Sequence, residues 1–340
     1  MDFKLTKIGS FMDFSDNSIK NVFENENGEV IEITLLQNRA ERDVVCVPTH
    51  YFCTLGCKFC HLTNFFSTKT MKKISVDEFN EALVRTLCIE NGSELIRRTY
   101  KKDILISFMG VGEPLCNIDL IRDVFLTDIT KKLGFKNVSY ACATMCPKLE
   151  LLEDLFKVVE EYNIPLKIHF SLHTPNDEER RKIIPSSTAN VIDICNALRK
   201  YSIFIERSPE ILENFEKFHK NLSGVEIHYT LINGVNDSLD NLDTICRILI
   251  LYGFVIKFID FNEVGDMAKS RLVDVWKKEL SVFGSKIKYY CPPGRNIGSS
   301  CGQFTRHYFI NTETEEERLE FEGWKLKYGI SEKIFNSEDI

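Results

Sequence analysis

The chain has no apolar run near the roughly 18 residues that a membrane-spanning helix needs. Its longest, between Arg247 and Lys257, is broken at Gly253 and reads as a helix end passing into a strand. The start, Met-Asp-Phe-Lys-Leu-Thr-Lys, lacks the basic-then-apolar pattern of a secretory leader, so a cytoplasmic, reducing setting without membrane contact is expected. There is no surplus of basic residues either. Lys and Arg number 43 against 50 Asp and Glu, a net charge of -7, which excludes a surface coated in positive charge for nucleic acid but leaves room for a local basic groove. Internal repeats, low-complexity tracts and obvious flexible linkers are absent as well. At 44% hydrophobic and 27% charged over 340 residues, disordered and fibrous classes are excluded, and one large α/β domain with trimmings is expected.

What the chain has in quantity is cysteine, 12 in all. In a reducing compartment that number points to metal or thiol chemistry rather than to a disulfide scaffold. CTLGCKFC sets Cys53, Cys57 and Cys60 at the spacing Cx3Cx2C. Thiolates hold iron-sulfur clusters, and three of them on a [4Fe-4S] cube leave one iron open to a ligand with an amino and a carboxylate group. The other assignment is a zinc site with His61 as fourth ligand, but adjacent Cys60 and His61 are poorly placed to ligate together.

From about residue 44 to about 290, short β-rich runs alternate with amphipathic helical stretches, the pattern of a parallel sheet with helical crossovers. Strands are expected at Val44–Val47, Ile104–Phe108, Val138–Ala143, Leu166–Leu172, Val225–Ile232, Val255–Phe261 and Ile287–Tyr290. Helices fill the gaps, one of them opened by a capping pair, Ser75 with Glu78. Ahead of the cysteines, Ile19–Phe23 and Val30–Leu36 flank Asn27-Gly28 and read as a hairpin. The expected division is a hairpin extension over 1–43, a catalytic domain over 44–304 with a helical insertion at about 203–223, and a tail over 305–340 with an acidic cluster at Glu313–Glu322. MGVGEPL, Met109–Leu115, closes one strand with two glycines around Glu113, where such folds bind ligands.

The cysteine motif resembles that of the radical S-adenosylmethionine (SAM) superfamily. With it come SLHTPNDEERRKIIP from Ser171, LINGVND from Leu231, Phe261-Asn262 and GRNIGSSCGQF from Gly294, in an order similar to that of the dual-specificity RNA adenine methyltransferases of the RlmN/Cfr type. The resemblance spans roughly 19–304 and implies a partial (β/α)6 radical SAM barrel with a short N-terminal β-hairpin extension. It implies a [4Fe-4S] cluster on Cys53, Cys57 and Cys60, and SAM contacts from Gly112, Glu113, Ser171, His173 and Asn262. It also implies methylation of adenine at C2 or C8 in ribosomal or transfer RNA. Cys301 corresponds to the residue that carries an S-methyl group, and Cys46 to the thiol that releases product by a disulfide with it. Glu32 corresponds to the base that removes the ring proton, although its spacing to Cys46 is one residue longer and an exposed strand glutamate is the plainer alternative.

The expected partners are RNA, a flavodoxin or ferredoxin reductant and a thiol reductant, with the protein a monomer. The departures touch the substrate more than the reaction. Family members usually carry a helical domain ahead of the hairpin, and only a short stretch precedes the match here. YACATMCP falls where the family has a Ser-rich loop, with Thr144 as the substitute hydroxyl, and Asn296 stands where Asp is usual. The same machinery acting on a small molecule or peptide is therefore the alternative. Phosphate contacts are expected from Arg180, Arg181 and Lys182, and otherwise from Arg97, Arg98, Lys101 and Lys102.

Overall fold

The computed structural model describes residues 3–37, 42–63, 70–91, 94–98, 101–218 and 224–293. They form two compact units: one holds the described residues up to Thr54, those from 70 to Tyr140, and Pro293, and the other holds Leu55–Thr63 and Ala141–Pro292. Among the described residues, no helix is long and apolar enough to cross a membrane.

In the first unit, β1 (Thr6–Asp13), β2 (Ser18–Glu24) and β3 (Val30–Leu36) pair antiparallel in sequence order. The extension is therefore three-stranded rather than the expected hairpin. Its first strand, TKIGSFMD, carries no clean alternation to announce it. The turn at Asn27-Gly28 is where the sequence put it, closed by Gly28 N–H donating to Asn25 O at 3.0 Å. β3 pairs antiparallel with β4 (Asp43–Val47), which pairs parallel with β7 (Asp103–Phe108).

Between these two strands lies α1 (Val76–Leu87), opened by the foreseen capping box of Ser75 and Glu78, with Phe79, Ala82, Leu83 and Leu87 buried. Phe79 stacks on Phe108 at 5.9 Å, which fixes the face of β7 that meets the helix. A ribbon of β5 (Cys88–Asn91) and β6 (Glu94–Arg97) was not expected. α2 (Ile118–Thr127) and α3 (Ile129–Lys132) lead to β8 (Asn137–Thr144), whose first half completes this unit beside β7.

The second unit takes the rest of β8, then α4 (Leu149–Tyr162), β9 (Leu166–Ser171), α5 (Asp177–Ile183), α6 (Val191–Glu206), α7 (Pro209–Phe218), β10 (Val225–Tyr229), α8 (Leu239–Tyr252), β11 (Val255–Ile259), α9 (Val273–Leu280) and β12 (Ile287–Tyr290). Its strands run in sequence order, and β9 through β12 are parallel. α8 starts on Ser238, which accepts from Asn241 N–H, and stops at Gly253, as the sequence indicated.

Three strands end sooner than expected, β9 at Ser171, β10 at Tyr229 and β11 at Ile259. Beyond β10, Asn236 accepts from Ile232 N–H at 2.7 Å and donates to Thr230 O at 2.7 Å, which turns the chain out of the sheet. The expected insertion at 203–223 is the end of α6 plus α7, with 219–223 outside the described residues. Trp276 of α9 packs against Tyr229 at 5.5 Å and Phe258 at 5.9 Å, so α9 covers the face that bears those rings.

Candidate functional site

Register decides which side chains meet in the first unit. Lys20 lies opposite Thr34, Thr34 opposite Cys46, and Cys46 opposite Ser107. Residues paired across strands share a face and alternate residues return to it, so Lys20, Glu32, Thr34, Cys46 and Ser107 all lie on the face opposite Phe108 and α1. Glu32 is not an exposed strand residue. Only 5% of its surface is open, and its carboxylate accepts from the Lys20 ammonium at 2.5 Å inside a pair that is itself buried. The half-buried Cys46 thiol stands one strand away on that face.

The glycines of MGVGEP serve a turn against the exit of β4. Gly110 N–H donates to Val47 O at 2.9 Å, and a Cβ on Gly110 would lie 2.7 Å from backbone atoms of Val47 and Pro48. Gly112, at φ 110, has the Thr49 and His50 side chains where a Cβ would stand. Thr49 and His50 N–H both donate to Val111 O, and Asn117 ties the loop to Thr49 O at 2.9 Å. Burial, with the Lys73 charge, lowers His50 to about 4, so its ring is neutral. Glu113 is 1% exposed and accepts from Leu115 N–H at 3.2 Å, capping the short helical turn Pro114–Asn117. The loop is thus held by its own unit before any ligand enters. Cys53, three residues beyond His50, is half-buried.

In the second unit, Cys57 and Cys60 share one turn. Cys60 N–H donates to Cys57 O at 2.9 Å, Thr63 N–H to Cys60 O at 3.0 Å, and Leu62 N–H to Cys60 Sγ at 3.5 Å. Cys57 packs among Ile183, Ile184, Phe59 and Met145. Reduced thiols on a tight turn, with an amide aimed at one sulfur, are the donor set an iron-sulfur cluster takes. The residues fit the cluster that the spacing suggested.

Beside this turn the SLHTP segment is held by Arg180. Its guanidinium donates to Ser171 O at 3.0 Å, to Met145 O at 2.6 Å and to Leu172 O, and stands 4.9 Å over the Phe170 ring. At 1% exposure, Arg180 cannot be the surface phosphate contact expected of it. Burial lowers its pKa to about 10, against the nearby thiols of Cys146 and Cys57. Arg97 and Arg98 are engaged too, donating to Leu133 O and Cys88 O, and Lys101 pairs with Gln37 O and Asp43. Arg181 and Lys182 stay exposed.

His173 sits at φ 52 with Nδ1 accepting from Thr230 N–H at 3.2 Å, so its remaining proton is on Nε2. Burial, then the Arg180 charge, lowers it to about 3. The Phe59 ring lies 4.6 Å away, and Asn236 donates to the His173 carbonyl. Ser171 ends β9, and Asn262 follows β11 by three residues. The Thr144 hydroxyl accepts from Cys146 N–H at 2.7 Å. Cys301, Asn296 and the rest of the GRNIGSSCGQF segment lie outside the described residues, as does the tail from 305.

The sequence reading missed one polar centre. On the face opposite Tyr229 and Phe258, Glu226 receives Lys167 at 3.2 Å, Lys288 at 2.6 Å and Lys257, with His169 Nδ1 at 3.3 Å and His228 Nε2 at 3.5 Å. The two imidazoles meet at 2.6 Å. Burial alone would raise Glu226, but the two histidines beside it, then the lysine charges, hold it far below the carboxylate range. Burial drives both histidines down, His228 to about 4 and His169 further. His169, Glu226 and His228 converge closely enough to ligate a metal, but the Lys257 ammonium already stands as the cation on the shared oxygen, Glu226 Oε1. The signal was available in LKIHFS and VEIHY, where every second residue is polar, and in the single Lys257 of VIKFI, in strands that a parallel sheet normally fills with apolar residues.

The profile of the radical SAM superfamily matches residues 47–244. Among curated proteins, the chain is 27% identical over 306 residues to the "Probable dual-specificity RNA methyltransferase RlmN" of Clostridioides difficile (strain 630), covering 86% of this chain and 77% of that protein. It is 28% identical over 312 residues to the protein of the same name in Clostridium novyi (strain NT), covering 87% and 78%. A solved radical SAM methyltransferase from Sphaerobacter thermophilus superposes with a TM-score of 0.67 at 21% identity, over 88% of this chain and 81% of that one, and so shares the fold. That profile covers more than half of the chain and includes the cysteine turn, so the chain belongs to the radical SAM superfamily, as a methyltransferase.

Proposed function

We propose that this enzyme methylates C2 or C8 of an adenine in ribosomal or transfer RNA through an S-methyl group carried on Cys301. The observation that carries the reading is the shared face of Glu32 and Cys46 on β3 and β4. A base and a second thiol on one face are what a covalent route to an electrophilic ring carbon requires. The relatives' names supply the RNA. Cys53, Cys57 and Cys60 would hold the [4Fe-4S] cluster, which with SAM supplies a carbon radical able to take a hydrogen atom from a methyl group.

The chain's own groups do the rest. Gly112, Glu113, Ser171, His173 and Asn262 receive SAM, the neutral His173 offering its Nε2–H as a donor. Glu32 takes the ring proton as a carboxylate, and Cys46 releases the product by joining Cys301 in a disulfide. The expected partners are RNA and electron and thiol donors of the flavodoxin or ferredoxin and dithiol classes. The domain reading is a radical SAM catalytic domain over 44–304 between the extension and the tail.

Anaerobically reconstituted enzyme with total ribosomal and transfer RNA and methyl-labelled SAM tests the proposal. Wild type should yield methyladenosine, Cys46→Ala should accumulate a protein–RNA crosslink, and Cys301→Ala should accumulate none. Equal product from Cys46→Ala removes its role. With Arg180 buried and Arg97 and Arg98 bonded to backbone carbonyls, Lys102, Arg181 and Lys182 are the exposed groups among the expected phosphate contacts. Methylation of neither RNA would give the lead to the same chemistry on a small molecule or peptide.

A further inference from the structure

On the shared face of β2, β3 and β4, Lys20 is the residue for which the proposed chemistry has given no account. Its ammonium is 2.5 Å from Glu32, and the two side chains are 1% and 4% exposed. A charge this deep is costly, and placing two of them together is seldom a gain in stability over well-packed apolar residues. Lys20 lies two strands from Cys46 in the row that runs through Thr34 to Ser107, and Glu32 is one step along that same face. A long, flexible side chain is thus brought to the carboxylate that shares a face with the thiol.

We propose that Lys20 is the positioning residue of the ring-proton acceptor, its ammonium fixing the Glu32 carboxylate on the Cys46 face. This rests on the reading of Glu32 as the base. In the step served, the ring C–H bond breaks, its electron pair stays on the ring, and the proton passes to a Glu32 oxygen. Lys20 takes no proton and touches no substrate. It holds one carboxylate oxygen, so the carboxylate cannot turn away, and it offsets the charge of a base kept out of water.

The test separates adduct formation from adduct release. Enzyme loaded anaerobically with methyl-labelled SAM is mixed with total ribosomal and transfer RNA, and covalent protein–RNA adduct, methyladenosine and SAM cleavage are followed in one time course. Lys20→Met should slow release at least tenfold and accumulate adduct as Glu32→Gln does, with SAM cleavage and methyl loading within twofold of wild type. Lys20→Arg, which keeps the donor charge, should restore release to within about threefold. The proposal is overturned if Lys20→Met releases product at the wild-type rate while Glu32→Gln does not. It is equally overturned if Lys20→Met loses SAM cleavage and adduct formation together, as a merely structural pair would. Should Lys20→Met not fold, Lys20→Arg carries the test, and release as slow as in Glu32→Gln overturns the assignment. Normal release by Glu32→Gln marks failure of the base reading itself.

Discussion

Lowering the pH from 7.5 to 5.5 should weaken the second unit by about 4 kcal/mol, through three histidines buried neutral. His173 is pushed down to about 3, His228 to about 4 and His169 further, with burial the leading cause in each. An unfolded chain leaves each ring near its ordinary value of about 6.5. Below that value the unfolded state binds protons that the folded state refuses, so the stabilisation present above pH 6.5 is lost as the pH falls toward each folded value. At pH 5.5 the loss is about 1.4 kcal/mol per ring. Three rings therefore remove a large share of the roughly 5–15 kcal/mol that holds a domain together.

Glu226 does not enter in this window, because its depressed folded value gives a contribution that is lost only below the ordinary carboxylate range, near pH 4.5. Lys167, lowered to about 8, stays mostly charged in both states and contributes only about 0.2 kcal/mol across the window. The measurement is urea unfolding of cluster-free, reduced protein carrying Trp324→Phe, so that the buried Trp276 reports on this unit. The free energy should fall with a slope approaching three protons, and His228→Gln should reduce it to two. A flat profile between pH 7.5 and 5.5 would refute the argument.

Two further outcomes follow from the packing. Arg180→Met should cost about 3 kcal/mol, since three carbonyls lose a buried charged donor. Arg181→Ala and Lys182→Ala should stay within about 0.5 kcal/mol, and equal melting of all three variants would refute the buried role. Gly110→Ala puts a methyl against the backbone of Val47 and Pro48 at 2.7 Å and should lower stability by roughly 1–3 kcal/mol, read as a fall in Tm, with an unchanged melt counting against that close approach.

Whatever depends on neighbours within a few residues can be read from a short stretch of the chain. The Cx3Cx2C turn, the Ser75–Glu78 box, the stop at Gly253 and the strand–helix alternation each follow from steric and hydrogen-bonding needs that a short stretch expresses alone. Whatever depends on register between distant strands is visible only once the strands have paired. Glu32 and Cys46 are 14 positions apart, and nothing in that interval says whether they share a face; the pairing Thr34 to Cys46 does. His169 and His228 are 59 residues apart and meet because Glu226 lies opposite His169. Arg180 reads as one of three adjacent basic residues on a helix. Only the fold shows that a cation is what the SLHTP carbonyls close around, because the helix turns one of the three inward and leaves Arg181 and Lys182 in water.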